Sequence, residues 1–120
     1  MISNYNDNNI FAKIIKKEIP AKVIYENNNA MSFLDINPQA KIHFLVIPKG
    51  KYQDLQDFSL NSTPQEKQDF FECLSKSIEV LNLTTGYRSI SNSGINANQE
   101  VPHFHLHILG GEPLGKMLCK

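Results

Sequence analysis

Apolar and polar positions alternate along this chain with two periods, and the switches between them divide it into elements. Over Ile10-Phe11-Ala12-Lys13-Ile14-Ile15-Lys16-Lys17 the apolar residues fall at helical spacing, with Asp7, Asn8 or Asn9 placed to cap the start. Pro20 bounds that helix, because the residue before a proline disfavours α geometry. Val23-Ile24-Tyr25-Glu26 and Ala30-Met31-Ser32-Phe33-Leu34-Asp35 then read as two strands of a hairpin. The turn between them is Asn27-Asn28-Asn29, and asparagine tolerates the positive φ of tight turns. Pro38 precedes a third strand, Ile42-His43-Phe44-Leu45-Val46-Ile47, which Pro48 ends. A short helix fits between Lys51 and Phe58.

Thr63-Pro64-Gln65-Glu66 is a helix-start signature: threonine caps, proline occupies the first turn and glutamate reaches back. Phe71, Leu74, Ile78 and Leu81 continue at spacings of three and four and predict one buried stripe. Gly86 lies beyond the helix end, Tyr87-Arg88-Ser89-Ile90-Ser91 reads as a fourth strand, and Ser93 to Asn98 form a polar loop. The fifth strand is His103 to Leu109. Helix, three strands, long helix and two strands joined by short connections predict an antiparallel α+β domain. The expected architecture is a five-stranded antiparallel meander with one long and one or two short helices.

The fifth strand carries the chemistry. Three of the four histidines, His103, His105 and His107, alternate with Phe104, Leu106 and Ile108. In an extended strand, residues i, i+2 and i+4 share a face, with neighbouring side chains about 6–7 Å apart. One face then presents three imidazoles and the other supplies the core. The loop before it brings Asn92, Gln99 and Glu100 near those rings. Three uses of such a face are open. It is a solvent-facing polar strand, or it holds a metal, for which zinc favours histidine. No Asp or Cys accompanies the triplet, and Glu100 is the nearest carboxylate, beyond Pro102. The third use is nucleophilic attack on phosphorus by a neutral imidazole, with its neighbours orienting the phosphate.

Composition narrows the partners. A chain of 120 residues with formal net charge +0 has no electrostatic footprint for nucleic acid, although a nucleotide needs only a few local donors. No apolar stretch is long enough to span a bilayer. Residues 1–9 are polar and Asn-rich, without the layout of a signal peptide, and read as a flexible start to a single domain over 10–120. Cys73 and Cys119 form no CxxC and read as reduced thiols in a cytoplasmic protein.

His103-Phe104-His105-Leu106-His107-Ile108-Leu109-Gly110-Gly111 resembles the histidine triad motif that names the HIT superfamily. The Gly110-Gly111 ending is similar to the Hint branch, the purine nucleoside phosphoramidases; the dinucleoside polyphosphate hydrolases of the Fhit branch usually carry Pro-Arg there. The resemblance extends from Ile10 to Leu118. It includes Ile10-Phe11-Ala12-Lys13-Ile14-Ile15-Lys16-Lys17-Glu18-Ile19-Pro20-Ala21, Asp35-Ile36-Asn37-Pro38-Gln39-Ala40, His43-Phe44-Leu45-Val46-Ile47-Pro48, Gly86-Tyr87-Arg88 and Gln99-Glu100-Val101. The tail Pro113-Leu114-Gly115-Lys116-Met117-Leu118 is similar to bacterial members.

This resemblance implies a HIT-like fold and a hydrolase of purine nucleoside 5′-phosphoramidates, with no cofactor and no metal. His105 corresponds to the nucleophile, His103 to the residue that orients it, and His107 to the one that contacts phosphate. His43 corresponds to a fourth histidine in their network, or is a strand histidine with one backbone bond. Asp35 corresponds to the acceptor of the ribose hydroxyls, and also suits a cap on the Asn37-Pro38 turn. Phe11, Ile19, Phe33 and Ile36 correspond to apolar positions around the purine, and each also suits plain core. Asn92 and Gln99 correspond to side chains near the α-phosphate and the scissile linkage. Asn98 follows Ala97 where many relatives have two glycines, and it can take left-handed geometry at modest cost. Glu100 stands where other relatives carry a serine that assists the leaving amine. Pro102 replaces a residue that is often aromatic. The implied partners are a purine nucleotide and a second copy of the chain, with no nucleic acid and no membrane. Cleavage of dinucleoside polyphosphates and non-catalytic nucleotide binding are the alternatives.

Overall fold

A computed structural model describes residues 4–118; the expectations for Met1 to Ser3 and for Cys119 lie outside the described residues. The hairpin forms where the pattern placed it, as β1 (Val23–Glu26) and β2 (Ala30–Leu34). Its turn works differently from expectation. None of Asn27, Asn28 and Asn29 takes positive φ. Instead the Asn27 Oδ1 accepts from the N–H groups of Asn29 (3.1 Å) and Ala30 (2.9 Å), so the side chain replaces backbone turn bonding. β3 (Ile42–Pro48) pairs antiparallel with β2.

The meander stops there. β5 (Leu106–Gly110) inserts next to β3, and β4 (Tyr87–Ile90) lies outside it, giving the order β1-β2-β3-β5-β4. All pairings are antiparallel. The connection from β3 to β4 carries two helices, which frees β4 to land one strand away and lets its loop return β5 into the gap.

Among the described residues three α-helices accompany the sheet, α1 (Ile10–Ile15), α2 (Leu55–Asn61) and α3 (Pro64–Val80), with one 3-10 turn over Ile95–Ala97. The α3 start is a complete capping box: Thr63 Oγ1 accepts from Glu66 N–H at 3.1 Å and Glu66 Oε1 accepts from Thr63 N–H at 3.0 Å. Its buried face is rotated from the predicted stripe. Phe71 is exposed, and Phe70, Cys73 and Ser77 are buried, with Leu74, Ile78 and Leu81 packed beside them. Small residues cause the rotation. Ser77 Oγ meets Ser32 Oγ of β2 at 2.5 Å, a buried contact between helix and sheet that a hydrophobic pattern does not record.

Both faces of the sheet are covered. Ala30, Phe44, Val46 and Ile108 face α3 together with Phe58, Phe70 and Phe104. Met31, Phe33, Leu45 and Ile47 face α1 with Phe11 and Ile14. Alternation therefore sorts the residues of β2 and β3, and β3 is apolar on both faces apart from His43 because neither side meets water. Odd-numbered residues of β2 and β3 point to the α1 side. The registers Phe33↔Leu45 and Leu45↔His107 place His107 on that side as well. No helix among the described residues is long and apolar enough to cross a membrane.

Candidate active site

The α1 side of the sheet holds a cavity of about 370 Å³. Most of the residues singled out in the sequence line it: Phe11, Ile19, Phe33, Asp35, Ile36, Asn92, Asn98, Glu100, His105 and His107. Parity explains the centre of this set. Phe33 leads to Asp35 just past the end of β2, and His107, the second residue of β5, lies two strands away on the same side.

The histidines do not share one flat strand face. The ladder of β5 begins only at Leu106, so His103 and His105 precede it. Phe104 N–H is spent on Tyr52 carbonyl at 2.8 Å instead. His103 turns into the protein, fully buried, and does not line the cavity. His105 and His107 remain together, ring centroids 5.0 Å apart and planes at 73°.

Hydrogen-bond partners fix the tautomers. His105 Nδ1 lies 2.7 Å from the His103 carbonyl, which only accepts, so Nδ1 carries the proton. Nε2 of His105 then holds a lone pair. Ser91 Oγ is the sole buried side-chain polar atom without a partner among the described residues, so that unbonded Nε2 is open to the cavity. His103 Nε2–H donates to Pro48 carbonyl at 2.8 Å, leaving Nδ1 to accept from Tyr5 O–H at 2.5 Å.

Behind the cavity, Gln39 N–H donates to His43 Nδ1 at 3.0 Å. His43 Nε2–H therefore points outward, 3.0 Å from His107 Nδ1 and 3.4 Å from Asp35 Oδ2. His107 Nδ1 is thus an acceptor, and its remaining proton sits on Nε2, where it can donate to an anion in the cavity. Asp35 does two jobs at once. Its Oδ1 accepts from Asn37 N–H at 2.8 Å, and its Oδ2 faces the histidine pair.

Burial holds the imidazoles neutral. It pushes His103 down to about 4 against a weaker opposing bond to Pro48 carbonyl. His107 falls to about 4 through burial, reinforced by His105 and His43. Burial also lowers His105, with the His103 carbonyl, Asp35 and Glu100 opposing, and lowers His43 against Asp35. Near neutral pH the site therefore combines a free nitrogen lone pair with a neutral donor one ring away.

Asp35, His43 and His107 bring three ligand atoms within 4.8 Å of one another. Their separations bracket the roughly 3.3 Å edge of a tetrahedron with zinc–ligand bonds of about 2.0–2.1 Å. The outer contact opposes a cation. Metal on His43 Nε2 would move its proton to Nδ1, directly against the Gln39 N–H, whereas a metal-binding histidine donates that proton to an acceptor. The donor set fits a proton-carrying pair.

The profile of the HIT domain matches residues 16–114. The chain belongs to the HIT domain family. A HIT-like protein of Azospirillum brasilense is 46% identical over 121 residues, covering 100% of this chain and 99% of the relative. A HIT-like protein of Helicobacter pylori is 46% identical over 105 residues, covering 87% of this chain and 97% of the relative. Among solved structures, a HIT family hydrolase from Clostridium thermocellum superposes with a TM-score of 0.86 at 38% identity, covering 94% of this chain and 99% of that one. A second HIT family hydrolase, from Legionella pneumophila, gives 0.81 at 36% identity, covering 90% and 96%. The five-stranded antiparallel sheet with three helices is the HIT fold.

Within this HIT domain three predicted site residues sit away from the cavity wall. His43 is buried behind Asp35 and His107, where it links rather than touches. His103 acts through its carbonyl. Gln99 is spent on the backbone: its Oε1 accepts from Gly94 N–H, and its Nε2 donates to the carbonyls of Gln53 and Val101. These bonds brace the loop. Asn98 adopts the left-handed conformation, φ 53° and ψ 48°, that its position after Ala97 demanded. The Gln39 amide and Tyr5 escaped the sequence reading. The first is a backbone group, which no side-chain pattern reports. The second is the one aromatic in a stretch otherwise polar from Ser3 to Asn9, and that was its signal.

Proposed function

We propose that this HIT protein hydrolyses purine nucleoside 5′-phosphoramidates through a covalent nucleotidyl-histidine. The observation that supports it is the commitment of His105 Nδ1–H to the His103 carbonyl, which leaves Nε2 unprotonated and open to the cavity. Nε2 attacks the α-phosphorus as the P–N bond breaks, and the departing nitrogen takes a proton to leave as an amine. Glu100, on the cavity wall, is placed to shuttle that proton. His107 Nε2–H donates to an equatorial oxygen, where negative charge gathers. Water then adds to phosphorus, the P–Nε2 bond opens, and the nucleoside monophosphate departs with His105 restored.

Phe11, Ile19, Phe33 and Ile36 supply an apolar wall suited to a purine, and Asp35 an acceptor suited to ribose hydroxyls. We further propose a metal-free chemistry and, from thiols read as reduced and a start read as no signal peptide, a cytoplasmic setting.

The test is AMP release from an adenosine phosphoramidate by wild type and His105→Ala, run beside a diadenosine polyphosphate. Wild type should favour the phosphoramidate, retain its rate in chelator and yield an acid-labile adenylyl-protein on quenching. His105→Ala should lose both product and adduct. Full activity in the variant refutes the mechanism, and preference for the polyphosphate moves the substrate class.

A further inference from the structure

The nucleophile stands outside the sheet, so something other than a β ladder must hold it. The segment from His103 to His105 has few fixed points. Phe104 packs into the aromatic core, with ring centroids 5.2 Å from both Phe58 and Phe70. His103 is clamped from both sides of its ring, by Pro48 carbonyl at Nε2 and by Tyr5 at Nδ1. The Tyr5 oxygen also accepts from Asn9 Nδ2 at 2.9 Å. Asn9 is itself buried and fixed, because its Oδ1 caps α1 through Ala12 N–H at 2.9 Å and its Nδ2 also donates to the Asn6 carbonyl.

A directed chain of hydrogen bonds follows, in which the Asn9 amide donates to the Tyr5 hydroxyl, the hydroxyl to the His103 ring, and the ring to the Pro48 carbonyl as final acceptor. Burial raises the Tyr5 phenol above its ordinary range, so the hydroxyl remains a donor through the neutral region. The ring of His103 is thereby fixed in tilt and tautomer, and its own carbonyl is the acceptor that orients His105 Nδ1–H.

We infer that Tyr5, in the stretch the sequence marks as a flexible start, is a positioning residue that holds the His103 hinge and through it aims the His105 nucleophile. This rests on the nucleophilic reading of His105. Tyr5 does not line the cavity, and its effect is on the placement of the attacking atom rather than on nucleotide binding.

The decisive variant is Tyr5→Phe in the full chain, which keeps the ring and removes the hydroxyl. It leaves a buried His103 nitrogen without its donor. Loss of ångström-scale placement predicts a fall in kcat of about tenfold to hundredfold, with KM for the phosphoramidate nearly unchanged. Long-range ¹⁵N–¹H spectra of the imidazoles, recorded without substrate, should show a single Nδ1–H tautomer for His105 in wild type and a tautomer mixture in Tyr5→Phe. Asn9→Ser keeps a helix cap and removes the amide donor to Tyr5; it should show the same changes to a smaller degree, and it carries the test should Tyr5→Phe fold poorly. A variant with a lower melting temperature but wild-type kcat, or with unshifted His105 resonances, makes Tyr5 merely structural and overturns the inference. If wild type turns over no phosphoramidate, the proposed function falls, while the substrate-free spectra still decide whether Tyr5 controls His105.

Discussion

Acid should unfold this protein earlier than its carboxylates alone would dictate, and the cause is His103. Its ring is fully buried and neutral, at about 4, whereas in the unfolded chain it returns to the ordinary 6.5. Between these values the unfolded state binds the extra proton, so stability rises with pH. The contribution is therefore complete above about 6.5 and drains away as the pH falls toward 4. Moving from pH 7 to pH 5 removes about 2 kcal/mol on this one ring, from the ratio of proton-binding terms in the two states. His107, also at about 4 and partly buried, removes up to a similar amount. Urea titrations at pH 7, 6 and 5 measure the loss directly. His103→Gln keeps an N–H donor for Pro48 carbonyl but cannot titrate. It should start less stable at pH 7 and lose about 2 kcal/mol less than wild type on the way to pH 5. Equal acid sensitivity in the two proteins would refute the claim that a buried neutral His103 sets the acid limit.

Other consequences are simpler to check. Phe70→Ala should cost about 3–5 kcal/mol in a denaturant melt, because the ring is enclosed between Phe58 and Phe104, whereas Phe71→Ala, on the exposed side of α3, should stay within about 1 kcal/mol. Asn98→Ala should lose about 1–2 kcal/mol to left-handed backbone strain while Asn98→Gly folds as well as wild type, read from melting temperatures. The HIT resemblance also leads us to propose a homodimer. Sedimentation velocity should then give twice the mass of one chain, and a monomer at micromolar concentration would reject it.

The sequence was most readable where period and punctuation agreed. The capping box of α3, the β1–β2 hairpin and the apolar run of β3 bounded by Pro48 all rest on local chemistry. The topology was less so, because β4 and β5 exchange places through a long helical crossover that no local pattern encodes. The face of α3 was misjudged since Cys73 and Ser77 are small and close, and a hydrophobic stripe credits size. The site was legible as a set of residues but not as an arrangement. Alternation from His103 to His107 implied one continuous strand, yet the ladder starts at Leu106 and the first imidazole turns inward. Side chains that work through backbone groups were the hardest to foresee. Gln99 braces three main-chain groups, and His43 takes its polarity from the amide of Gln39.

The strict sorting of odd and even residues on β5 ties chemistry to folding in heredity as well as in space. Losing or gaining one codon between His107 and Gly110 would turn Ile108 to the α1 side of the sheet or Leu109 toward α3, disturbing the core and the wall of the site in a single event. Length changes in this lineage should therefore collect in the connections, such as the asparagine turn, and leave the central ribbon's residue count fixed.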